Sequence, residues 1–167
     1  AIKVYERAEV LQDLMEEDLL KWPVMGMDET PVQVLSEKDR KNETKSYMWV
    51  MRGGPPGKAI VVFRYRQTRS GEFVRDYLKA WKGTLVCDGY GGYNSGGRDL
   101  KVRLAGCWAH VRRKFVEIVK VSKGEGCAPE AVEQIRQLYL VEDEAKQGNL
   151  NSDQLLELRQ NKSKPVM

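Results

Sequence analysis

Two aspartates stand where the apolar pattern of the chain leaves little room for charge. Asp28 lies in the run Met25–Leu35 (MGMDETPVQVL), which reads as a strand. The two-residue period of a strand puts Asp28, Thr30, Val32 and Val34 on one face, expected to be the core side. Asp88 ends the apolar run Leu85-Val86-Cys87. Desolvating a carboxylate is costly, so acids at the edge of a core need compensation. A divalent cation supplies it, and magnesium takes carboxylate oxygens together with water and phosphate oxygens. The plainer alternative is that both acids cap turns, since Asp88-Gly89 is a common turn dipeptide. Spacing alone favours the turn for Asp88 and leaves Asp28 evenly balanced.

A second group is basic. In Cys107-Trp108-Ala109-His110-Val111-Arg112-Arg113-Lys114-Phe115, His110 is the chain's one histidine. Helical spacing places His110, Arg113, Lys114 and Glu117 on one face. With Arg112, these cations near a helix start suit phosphate, and so DNA. The competing reading is a solvated face with Arg113 paired to Glu117. Tyr90 and Tyr93, in DGYGGYNSGG, can stack on unpaired bases or pin that glycine-rich loop to the core; the second is favoured. Gly53–Ala59 (GGPPGKA) lacks the spacing and the hydroxyl of a phosphate-binding loop and reads as a hairpin turn. The three cysteines, 87, 107 and 127, suggest reduced thiols in the cytosol. Cys107-x-x-His110 invites a zinc reading, but no CxxC pair exists, and Cys87 and Cys107 sit in apolar runs as small hydrophobes.

The elements that must position these groups follow from periodicity. Residues 5–21 read as a helix stopped by Trp22-Pro23. Three strands follow, Met25–Leu35, Ser46–Arg52 and Ala59–Tyr65, joined by short connections that predict an antiparallel meander. A helix capped by Ser70 carries the stripe Phe73, Val74, Tyr77, Leu78, Trp81 and ends at Gly83. Thr84–Cys87 is then a strand reached by a crossover, hence parallel to an earlier one. A fifth strand over 102–108 precedes a helix over 109–121 with Val111, Phe115, Ile118 and Val119 inside. Helices over 128–146 and from Asn151 or Ser152 to Arg159 complete the chain. The expected organisation is an N-terminal helix over 1–24, an α/β core over 25–123 and a helical appendage over 124–167.

Bulk properties permit this. The 167 residues are 41% hydrophobic, with Lys plus Arg at 28 and Asp plus Glu at 24. That excludes a disordered chain and leaves a mild positive charge that allows a polyanionic partner. No apolar run reaches the roughly 20 residues of a membrane span, and the charged N-terminus lacks a secretory core. The chain begins with Ala1 rather than Met, as an excised piece of something longer would.

Taken together, the motifs resemble the transposases of the insertion-sequence-66 family of bacterial mobile elements. The matching stretches are Met27-Asp28-Glu29-Thr30-Pro31-Val32, Phe63-Arg64-Tyr65 with Arg69-Ser70-Gly71-Glu72, Gly83–Tyr90 with Gly92-Tyr93-Asn94, Gly106–Phe115, Leu138-Tyr139 with Glu142, Leu158-Arg159-Gln160 and Ser163-Lys164-Pro165. The resemblance implies a ribonuclease-H-like mixed sheet, three antiparallel strands then a parallel one, with a C-terminal helical insertion. It implies DDE chemistry, in which two aspartates and a glutamate hold two magnesium or manganese ions for DNA strand cleavage and transfer. Asp28 becomes the first acid and Asp88 the second, on neighbouring strands. The third acid belongs on a later helix beside paired asparagines and a Glu-Arg step, a stretch absent here, so the fragment alone is expected to be inactive. Glu142 is a rival third acid, because it continues the stripe Ile135, Leu138, Tyr139 where a lone carboxylate is unexpected. Implied partners are the element ends and target DNA, with self-association in a synaptic complex, in the bacterial cytoplasm and without a membrane. Two other readings stay open: a stand-alone ribonuclease-H-like nuclease using Glu142, and a non-catalytic DNA-binding or assembly module of a decayed element.

Overall fold

The computed structural model of the chain describes residues 2–55, 57–97 and 100–167. Its helices and strands follow in the order α1 (Ile2–Leu19), β1 (Val24–Gln33), β2 (Lys45–Gly53), β3 (Ile60–Arg66), α2 (Gly71–Leu78), β4 (Thr84–Cys87), α3 (Gly91–Gly97), β5 (Arg103–Gly106), α4 (Trp108–Val121), α5 (Ala128–Gln147) and α6 (Ser152–Leu158). Pro56, in the expected hairpin turn, and Arg98 and Asp99, just past the glycine-rich segment, lie outside the described residues. Two compact units divide after Cys107. The expected boundary lay at 123/124; by compactness α4 groups with the later helices.

The first unit is built on a five-stranded mixed sheet in the order β3-β2-β1-β4-β5. Short connections make β1, β2 and β3 an antiparallel meander, as expected. The α2 crossover returns the chain so that β4 runs parallel to β1, pairing Val24 with Thr84 through Gly26 with Val86. β5 continues parallel on the far side of β4. Gly83 starts β4 because its backbone passes so close to β1's lead-in that a Cβ would lie 2.6 Å from the Pro23 carbonyl oxygen. That approach lets Thr84 N–H donate to Pro23 at 2.9 Å.

One face of the sheet carries the core. Met25, Met27, Trp49, Met51, Val62, Leu85 and Cys87 meet Leu19 of α1, Phe73, Val74 and Leu78 of α2, Trp81 and Tyr93. Ser70 caps α2 as predicted, accepting from Glu72 N–H at 3.1 Å. Trp81 lies past the end of α2 and ties the turn to Trp22, its indole N–H donating to the carbonyl at 2.9 Å. α1 leans on β3 through Arg64, which pairs with Glu16 and with Asp13 at 3.2 Å.

Three expectations are corrected here. On β1 the buried side chains are Met25, Met27 and Glu29, so the core side is the face opposite Asp28. The core layer lies under the first half of β1, where the methionines set the register; Val32 and Val34 lie beyond it and are only half-buried. The glycine-rich segment is not a loop: Gly91–Gly97 forms α3, with Tyr93 only 1% exposed beneath it. Tertiary packing there overrides the low helix propensity of glycine. Ile118, expected inside α4, is 51% exposed, and no residue of α4 is fully buried.

The second unit is helical. α5 buries Ala128, Ile135, Val141 and Ala145. Asn151 closes a capping box at the start of α6, its side chain accepting from Asp153 and Gln154 N–H while Gln154 accepts from Asn151 N–H at 3.0 Å; each such cap satisfies donors a helix end leaves open. α6 runs on through a π turn, Arg159–Ser163, and a 3-10 turn, Lys164–Val166. Among the described residues no helix is long and apolar enough to cross a membrane.

Candidate functional site

β4 ends at Cys87 while β1 runs on to Gln33, and the last pair between them is Gly26 with Val86. Asp28 and Asp88 each lie two residues beyond that pair. The register therefore brings both residues to the same level of the sheet, Asp28 within β1 and Asp88 one residue past the end of β4. Each has one oxygen held by a nearby backbone amide. Asp28 Oδ1 accepts from Glu29 N–H at 2.9 Å, and Asp88 Oδ1 accepts from Tyr90 N–H at 2.8 Å. The turn geometry proposed for Asp88 is therefore present.

The sequence reading missed the network of groups that reaches Asp88. Glu29, on the core face, has a fully buried side chain. Its two oxygens are taken by Arg69, through the guanidinium, and by the Tyr93 hydroxyl at 2.5 Å. Arg69, whose side chain is 38% exposed, reaches on to Asp88 Oδ2 at 3.8 Å and lies 3.8 Å above the Tyr90 ring. The Tyr90 hydroxyl in turn donates to the Arg69 carbonyl. A guanidinium stacked on a ring and bridging two carboxylates has little freedom left. Tyr93, favoured as a core anchor, has that place; Tyr90 is half-buried and packs edge-on against it, 5.9 Å between centroids.

The electrostatics agree with this convergence. Burial, then the bond to Glu29, then the charges of Glu29, Asp28 and Asp88 push the Tyr93 phenol far above its usual range. Burial works to lower the Arg69 pKa, yet its bond to Glu29 and the charges of Glu29 and Asp88 leave it raised. Burial and the charges of Asp88 and Glu29 push the Cys87 thiol up to about 11. A thiol held neutral is a core filler rather than a nucleophile. Among the described residues no group of three His, Cys, Asp or Glu side chains gathers around one metal-sized point. The carboxylate oxygens of Asp28 and Asp88, carried at the same level of neighbouring strands, are of the kind a hard cation takes together with water.

The basic group sits in the helical unit. His110 is half-buried, and Arg112, Arg113 and Lys114 are exposed on α4. The pairing of Arg113 with Glu117 in the competing reading is not seen; among the described residues no ion pair involves Arg112, Arg113 or Lys114. With Ala109, Arg112 and Val116, Arg113 lines a cleft closed by Arg136 and Tyr139 of α5, because positions 109, 112, 113 and 116 form the stripe that meets a neighbouring helix.

Glu142 is not the lone carboxylate expected on its stripe. Both its oxygens accept from Arg159, each at 2.7 Å. That bond first, set against burial, holds its pKa below the usual carboxylate value. A carboxyl with a depressed folded-state pKa contributes stability above its unfolded value, about 4.3. The contribution is lost as the pH falls through the folded value. Both side chains are a third or more exposed, so Glu142→Gln is expected to cost about 0.5–1 kcal/mol at neutral pH. The difference from wild type in urea unfolding should shrink as the pH is lowered below about 4.3; a difference that stays constant with pH would show that charge is not what the pair contributes.

Comparison with known proteins agrees with the motifs. The family model described as "Transposase IS66 family" matches residues 1–167. The uncharacterized protein y4qI of Sinorhizobium fredii is 28% identical over 171 residues, covering 95% of this chain and 31% of that protein. The uncharacterized protein y4jD of the same organism is 33% identical over 118 residues, covering 67% of this chain and 22% of that protein. The chain thus spans a third or less of the length of these curated relatives. Among solved structures, a chain of the cryo-EM simian T-cell lymphotropic virus intasome in complex with PP2A regulatory subunit B56 gamma aligns over 81% of this chain and 46% of its own, at 12% identity and a TM-score of 0.38; so loose a likeness fixes neither fold family nor function. The match along the whole sequence places this chain in the IS66 family of transposases.

Proposed function

We propose that the chain carries the first two metal-binding acids, Asp28 and Asp88, of a DDE transposase catalytic domain on a ribonuclease-H-like sheet, acting in DNA strand cleavage and strand transfer. The observation that carries this reading is the parallel register of β1 and β4, which brings Asp28 and Asp88 to the same level, two residues past Gly26 and Val86. The sheet order β3-β2-β1-β4-β5, with three antiparallel strands and a parallel fourth beside the first, supports the fold assignment. Magnesium or manganese, when bound, would activate the attacking hydroxyl and stabilise the leaving oxygen of the phosphoryl transfer. The chain's own part is to orient. Backbone N–H groups of Glu29 and Tyr90 hold one oxygen of each aspartate. Arg69, anchored on buried Glu29, steadies Asp88 from the side.

Both oxygens of Glu142 are engaged by Arg159, which weighs against Glu142 as the third acid of the triad and against a stand-alone nuclease. Two aspartates form an incomplete oxygen cage, so isothermal titration of the chain with magnesium chloride is expected to give a Kd on the order of millimolar. Asp28→Asn or Asp88→Asn should each remove the binding. Micromolar binding, or binding indifferent to both substitutions, would overturn the assignment of these two residues as an incomplete metal site.

A further inference from the structure

The helical unit holds a cleft of about 540 Å³ between α4 and α5, lined by Ala109, Arg112, Arg113, Val116, Arg136 and Tyr139. That volume is within the ~300–1,000 Å³ of ligand sites. We propose that it binds an unpaired DNA strand, with Arg112 and Arg113 on successive phosphates and Tyr139 under a base. The inference rests on the reading that this chain acts on DNA and adds the form of DNA and the surface that takes it.

The argument is one of charge and shape. Arg136 is already held by Glu133 through two bonds of 2.7 Å, so it is a fixed wall of the cleft rather than a surplus charge. Arg112 and Arg113 have no such carboxylate among the described residues. Two adjacent guanidinium groups turned into one cleft repel each other until an anion separates them, and a phosphodiester backbone supplies anions in a row. Tyr139 is 38% exposed and stands one turn from Arg136 on α5, so its ring and the arginines line the same space. A phosphate ion alone would leave that ring unused. A duplex keeps its base faces stacked inside, whereas an unpaired strand can lay one on the ring. His110 and Lys114, one turn apart on α4, do not line the cleft and are not part of the site.

The test is fluorescence anisotropy on the 167-residue chain with a labelled oligothymidine, alone and annealed to its complement, over a range of salt. The single strand is expected to bind about tenfold more tightly than the duplex. Arg112→Ala and Arg113→Ala should each weaken binding and flatten the log–log salt dependence by about 0.7 unit. Tyr139→Ala should cost about tenfold with the slope unchanged, and Tyr139→Phe should restore the affinity because the ring is what stacks. Lys120→Ala, exposed on α4 outside the cleft, should change neither quantity by as much. Equal affinity for both forms, with Tyr139→Ala silent, would overturn the unpaired-strand proposal. Arginine variants no weaker than Lys120→Ala would remove the cleft as a nucleic-acid site. The magnesium titration at Asp28 and Asp88 is independent of these residues, so loss of the cleft proposal leaves the metal reading to be judged on its own result.

Discussion

Glu29→Ala is expected to destabilise the chain by about 3 kcal/mol. The Glu29 side chain is fully buried, and it satisfies both the Arg69 guanidinium and the Tyr93 hydroxyl. Removing one member of a buried pair leaves the other charge uncompensated, a loss of about 3–5 kcal/mol. The exposed part of Arg69 lets water recover some of that, which sets the value at the low end. Tyr93 offsets the recovery, because its buried hydroxyl loses its acceptor. Glu29→Gln keeps an acceptor for Tyr93 and should cost about half as much. Adding Arg69→Met to Glu29→Ala removes the stranded charge, so the double variant should be more stable than the sum of the single losses predicts. Urea unfolding of the four proteins decides it; a cost under about 1 kcal/mol for Glu29→Ala would show that this network contributes little to the stability of the first unit.

Trp49→Ala should cost more, about 4 kcal/mol. Trp49 is fully buried, 4.9 Å from the Phe73 ring and 6.1 Å from Tyr93 between centroids. It is the largest fully buried side chain and packs edge-on against Tyr93. Its loss therefore reaches the acids through a short chain of contacts: Trp49 to Tyr93, Tyr93 to Glu29, Glu29 to Arg69, Arg69 to Asp88. Trp49→Phe is expected to be mild, about 1 kcal/mol. The indole N–H is buried without an acceptor among the described residues, so phenylalanine gives up volume but also removes an unsatisfied donor. If Trp49→Phe destabilised as much as Trp49→Ala, shape rather than the stranded donor would dominate this position.

Much of the frame was legible in the sequence because it is written locally. Apolar runs, short turns and the crossover length gave the meander and the parallel β4, and Asp28 and Asp88 announced themselves by standing in or at the end of such runs. The face of β1 was misread because its period was anchored on Val32 and Val34. Met25 and Met27 are equally apolar, and their alternation with Glu29 was the available signal for a buried carboxylate. Arg69 could not be found that way. It lies 40 residues from Glu29, and only the return of the chain through β2 and β3 brings the two together. α3 escaped notice because its glycines argue against a helix, while its packing on α2 and the burial of Tyr93 decide for one.

The unequal lengths of β1 and β4 have a cost at the sheet margin. Past Gly26, β1 pairs with β2 on one side, and among the described residues no strand covers the other. An open margin of this kind offers amide donors on which a second copy could add a strand and start aggregation. Amides two residues apart in an antiparallel strand point the same way. Glu29 gives its amide to Asp28 Oδ1, and two residues on, Pro31 has no amide hydrogen to give. One donor is covered by the aspartate of the site and the next is missing by covalent structure. The notch beside the acids can therefore stay open without serving as a template for self-association.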